Sequence, residues 1–106
     1  MKRLEKEEEL NFFLQGNKEK KVLVKFFTTW CPPCRELQKN LESLLKERKD
    51  LEILEVDAER FAEIAQRPEF AVSSVPTLFL FYNGKMVRKA SGSMNVQQLE
   101  EFIRPR

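Results

Sequence analysis

A chain of 106 residues with 19 Lys and Arg against 17 Asp and Glu has room for one core and carries no field strong enough to select nucleic acid or an anionic membrane. Two cysteines and no histidine narrow the chemistry sharply, and zinc would lack the four Cys or His ligands it usually takes unless carboxylates or a second chain completed the shell. Met1 to Glu9 is dense in Lys and Glu, with neither the roughly 7–15 apolar residues of a secretory signal nor the roughly 20 of a spanning helix, so the chain reads as a cytoplasmic monomer with one domain over residues 1–106.

Residues 3 to 15 place Leu4, Leu10, Phe13 and Leu14 among Glu and Lys, a partial helical stripe that Gly16 and Asn17 stop. Val22 to Phe27 is β-branched and aromatic with one polar member, as a central strand covered on both faces requires. From Pro32 to about Lys49 the residues Cys34, Leu37, Leu41, Leu44 and Leu45 recur at three and four, so a long helix follows directly. Leu51 to Val56 predicts a second strand, and Asp57 an N-cap for a short helix bearing Phe61, Ile64 and Ala65 that ends before Pro68. Thr77 to Tyr82 and Met86 to Ala90 flank Asn83 and Gly84, a pair that tolerates the positive φ of a tight hairpin. Asn95 can cap a last helix whose apolar face is Val96, Leu99, Phe102 and Ile103. The order predicts an α/β fold, with one mixed central sheet of about four strands flanked by helices on both faces.

Trp30, Cys31, Pro32, Pro33 and Cys34 fall where the central strand turns into the long helix. A thiol at a helix N-terminus meets unpaired N–H groups and the positive end of the dipole, which lower its pKa from about 8.5 and favour thiolate. Cys31 is therefore the expected attacking thiolate, the more exposed of the two. Cys34, one turn inward on the apolar face, is the expected resolving thiol, able to attack a mixed disulfide at Cys31 and release the partner. Pro32 and Pro33 suit the first helical turn and stiffen the loop, and they also remove two N–H donors that could have solvated the thiolate. A structural staple is a poor reading, because a loop this short gains little from closure. A metallochaperone site, or two buried cysteines with no role, remain as alternatives on spacing alone. A second feature weighs against both, the run Val75, Pro76, Thr77 opening a later strand.

With these motifs the sequence resembles the thioredoxin family from about Val22 to Ile103, most strongly at Val22-Leu23-Val24, Phe26, Trp30-Cys31-Pro32-Pro33-Cys34, Val75-Pro76-Thr77, Asn83-Gly84 and Gly92. The resemblance implies a cis proline at Pro76 beside the cysteines, where Val75 would pair its backbone with an extended substrate and Trp30, Val75, Pro76 and Gly92 would line the groove. It implies a thiol–disulfide oxidoreductase with no cofactor beyond its own disulfide, disulfide-containing proteins or small disulfides as partners, and a thioredoxin reductase as one candidate donor. In a cytoplasm that keeps thiols reduced it would act as a reductant, the alternatives being an oxidant or isomerase and a redox-inactive binding module on the same scaffold.

Three departures stand out. Pro-Pro replaces the family's usual Gly-Pro between the cysteines, a pairing seen in tryparedoxins and some membrane-tethered thioredoxin-like reductases. The carboxylate that thioredoxins bury six residues before the first cysteine is Lys25 here, and its basic companion on the next strand reads as Ile53. Lys25 has three readings: a side chain reaching water, a buried charge near Cys34, or a neutral base that takes the Cys34 proton. Third, the charged helix from Arg3 to Gln15 reads as a replacement for the family's first edge strand, leaving Leu51 to Val56 as an open edge.

Overall fold

Alternation along the strands decides which side chains meet which helices. The computed structural model describes residues 1–104. In β2 (Lys21–Phe27), Val22, Val24 and Phe26 pack with Leu10 and Leu14 of one helix, α1 (Glu9–Gly16), and with Ile64 and Ala65 of another, α3 (Ala62–Ala65). Leu23 instead meets Leu37, Leu41 and Leu44 of α2 (Pro32–Glu47) and Leu99 and Phe102 of α4 (Val96–Phe102). β2 is thus buried on both faces, which explains its nearly continuous apolar run.

Among the described residues the sheet has five strands where about four were expected, in the spatial order β1 (Lys2–Arg3), β3 (Leu51–Asp57), β2, β4 (Thr77–Tyr82), β5 (Lys85–Ser91). Parallel β3 and antiparallel β4 flank β2, and β5 follows β4 through the expected turn, with Asn83 at φ +58° and Gly84 at φ +78°. The extra strand, β1, pairs in parallel with β3, Lys2 opposite Leu54 and Arg3 opposite Glu55. The expected open edge along Leu51 to Val56 is thus covered by β1 at Leu54 and Glu55.

This also corrects the first helix, which begins at Glu9 rather than Arg3. Leu4 belongs to the sheet end: its N–H donates to the Glu55 carbonyl at 2.8 Å and its side chain is buried in the core. The Glu9 carboxylate then accepts from the N–H groups of Glu5 (2.9 Å) and Lys6 (3.2 Å), turning the chain into α1. Asp57 likewise caps something other than expected. Its carboxylate accepts from Glu59 and Arg60 N–H in the turn after β3, and α3 starts only at Ala62. Asn95 behaves as predicted, in a reciprocal capping box with Gln98.

Candidate active site

The end of β2 delivers the chain through Thr28, Thr29 and Trp30 to the head of α2, where Cys31 is the N-cap and Pro32 and Pro33 occupy the first two helical positions. Cys31 and Cys34 are joined by a disulfide, with Cα atoms 5.1 Å apart. The first turn has few donors to offer. The prolines have no N–H, and the N–H groups of Cys34 (3.0 Å) and Arg35 (3.4 Å) both donate to the Cys31 carbonyl. The helix end keeps its dipole, but its N–H groups are absent or already engaged. Exposure does not separate the cysteines as expected, because Cys31 is 4% exposed and Cys34 6% in this disulfide. What separates them is backbone position, Cys31 outside the helix with extended φ of −157° and Cys34 inside its first turn.

Phe27, Cys31 and Cys34 form a small apolar cluster against which Val75 packs. The Val75–Pro76 bond is cis, Pro76 is buried, and the Pro76 carbonyl accepts from Gly92 N–H at 2.8 Å. Gly92 sits at φ +94°, with open space where a Cβ would lie, so backbone conformation rather than crowding calls for glycine. Trp30 is 85% exposed in the loop ahead of Cys31 and does not serve as a packing residue.

Lys25 does not reach water. It lies on the Leu23 and Phe27 face of β2, is 1% exposed, and places Nζ 2.9 Å from Oε2 of Glu55, directly opposite in the parallel register. Lys25 therefore pairs with Glu55, while Ile53, at the position read for the family's basic companion, is an apolar core residue among Leu37, Leu41 and Leu44. Lys25 also donates to Gln38 Oε1 on α2 at 3.2 Å, and Arg3 reaches Glu55 Oε1 at 3.5 Å. Glu55 Oε2 has the Lys25 ion contact but no partner at hydrogen-bond geometry. An open crevice of ≈ 220 Å³ runs from Lys25 to the disulfide, with Arg3, Phe27 and Arg35 among its walls. Of these neighbours, sequence reasoning missed Arg3, Arg35, Gln38 and Glu55.

The family model described as Thioredoxin matches residues 3–105. The chain belongs to the thioredoxin family. It is 34% identical over 104 residues to the thioredoxin of Mycoplasmoides gallisepticum, which covers 98% of this chain and all of that protein. The thioredoxin of Chlamydia muridarum is 40% identical over 82 residues, 77% of this chain and 78% of that one. Among solved structures, Fasciola hepatica thioredoxin superposes with a TM-score of 0.86 at 33% identity, over 97% of this chain and 96% of its own. Thioredoxin homology and the Cys31–Cys34 pair at the head of α2 make this protein a thiol–disulfide oxidoreductase whose substrates are disulfides. Thioredoxins use no cofactor beyond their own disulfide, and among the described residues no cluster of three or more Cys, Asp or Glu could hold a metal ion. Nor is any described helix long and apolar enough to cross a membrane.

Proposed function

We propose that the protein is a dithiol reductant in which Cys31 attacks and Cys34 resolves. The observation that carries this reading is the placement of the Cys31–Cys34 pair, one sulfur at the N-cap of α2 and the other in its first turn. The Cys31 thiolate attacks a substrate disulfide, forming one mixed S–S bond and expelling one substrate thiolate. Cys34, once deprotonated, attacks the Cys31 sulfur, closing the internal disulfide and expelling the second thiolate. Two electrons pass from the protein to the substrate. Returning the protein to its dithiol form requires an external dithiol donor, for which a thioredoxin reductase is the natural class.

Trp30, Val75, Pro76 and Gly92 form the substrate groove in this reading, with Pro32 and Pro33 stiffening the sulfur loop. The whole chain acts as one unit, cytoplasmic and without metal, in a compartment where thiols stay reduced. Lys25 is its charge modulator. A buried ammonium held against Glu55 favours the charged reading over the neutral-base one, and a positive charge beside the crevice stabilises thiolate and hence the reduced form.

Turnover of a disulfide peptide with excess dithiol donor tests the assignment. The wild-type protein should turn over repeatedly, Cys31→Ser should not react, and Cys34→Ser should stop after one equivalent. A redox-inactive binding module would give no turnover with any of the three.

A further inference from the structure

The crevice beside the disulfide has a charge of its own. Arg3 from β1, Lys25 from β2 and Arg35 from α2 all line it, and no carboxylate among the described residues does. Glu55 lies behind it, in ion contact with both Lys25 and Arg3, and so offsets about one of the three charges. Arg35 is exposed and has no ion-pair partner among the described residues. The Arg3 side chain is 52% exposed. This local excess is not the protein's general character, since 19 cations against 17 anions leave the whole chain near balance.

The positions of the cations matter as much as their number. Lys25 is buried and acts on whatever occupies the crevice from its floor, whereas Arg3 and Arg35 meet a partner arriving from solvent. Arg35 follows Cys34 directly, so a segment that presents its disulfide to the sulfurs brings its flanking side chains within reach of a guanidinium suited to carboxylates. Resting on the reading of Cys31 and Cys34 as the exchanging pair, we propose that this crevice is a carboxylate-accepting subsite. The preferred substrates are disulfides in protein segments carrying Asp or Glu beside the attacked cysteine, and segments carrying Lys or Arg there are disfavoured.

Three peptides with the same intramolecular disulfide, differing only in Glu, Gln or Lys beside the attacked cysteine, provide the test. For each, kcat/KM is divided by the peptide's own rate with dithiothreitol, which removes differences in intrinsic reactivity. Any effect of the cations on the protein's own thiolate is common to all three and cancels in the ratio between peptides. Charges about 6–8 Å apart in a largely aqueous crevice are worth roughly threefold each, so the expected Glu-to-Lys ratio is about ten at low salt. It should shrink to about two near 0.3 M salt, where screening shortens to a few ångströms. Arg35→Glu should bring the low-salt ratio to about one or invert it, and Arg3→Glu should reduce it.

A ratio near one at low salt, or one that neither salt nor Arg35→Glu changes, overturns the subsite. Turnover of the Gln peptide separates the two levels of the account. Equal turnover of all three peptides removes the subsite alone, whereas no turnover of any removes the exchange reading and the subsite with it.

Discussion

Lys25 and Glu55 are opposite charges on adjacent central strands, each more than nine-tenths buried, and burying them is costly unless each has a partner. Each has the other, with Gln38 and Arg3 adding a second contact to either side. Removing the positive member should therefore be felt at the sulfurs. In the proposed reading Lys25→Met takes away a charge that stabilises thiolate and leaves the Glu55 charge less compensated, so both effects lower the reduction potential. A shift of roughly 10–50 mV to more negative values corresponds to a Coulomb interaction of about 0.5–2.5 kcal/mol. The Lys25→Met, Glu55→Gln double variant should recover part of that shift. Equilibration with glutathione redox buffers measures both, and an unchanged potential in Lys25→Met would remove Lys25 from the chemistry. The pairing itself was within reach of the sequence. The two strands run in parallel with Lys21 opposite Leu51, and Glu55 shares its alternation with Leu51 and Ile53, the face on which Lys25 also lies. Counting along that register puts Lys25 opposite Glu55, two residues beyond the Ile53 position at which the family resemblance looked for a basic companion. The crevice neighbours Arg3 and Arg35 carried no such signal, because an exposed arginine in a charged segment looks the same wherever it points.

At the level of elements, success followed the local signals. The Asn83–Gly84 turn and the Asn95–Gln98 box fix their neighbours by side-chain and backbone chemistry readable at one site, and the adjoining elements appear within a residue or two of expectation. β1 has no local signal. Two exposed residues become a strand only because β3 offers an edge and Leu4 finds the core. Glu9 closes that segment, and its N–H contacts from Glu5 first and Lys6 second hold its carboxyl below the ordinary value of 4.5. A carboxyl lowered by folding contributes stability above its unfolded value and loses it as pH falls through the folded one. Glu9→Gln should therefore lower the urea midpoint at about pH 6, with the difference from wild type closing as pH falls into acid through the lowered folded value. A difference that persists unchanged into acid would mean that the Glu9 charge takes no part in joining β1 to α1.

Across the whole molecule, the sulfur loop is held from both ends of α2. At the head, the cysteines rest on Phe27 at the end of the central strand and on Val75. Toward the tail, Arg48 is hydrogen-bonded to Glu100 of α4, and Asn40 donates to the Met94 carbonyl at 2.8 Å. The α/β class and the site of the cysteines were legible because a buried central strand and a long amphipathic helix announce themselves in sequence, and the motif falls at their junction. Which sulfur attacks is less visible, since both are buried in the disulfide and only the backbone distinguishes N-cap from first turn. Mass mapping of trapped intermediates tests that assignment most directly. With a disulfide peptide, the Cys34→Ser protein should accumulate one mixed disulfide at Cys31 while Cys31→Ser accumulates none. A stable adduct at Cys34 in the Cys31→Ser protein, with none at Cys31 in Cys34→Ser, would contradict the account.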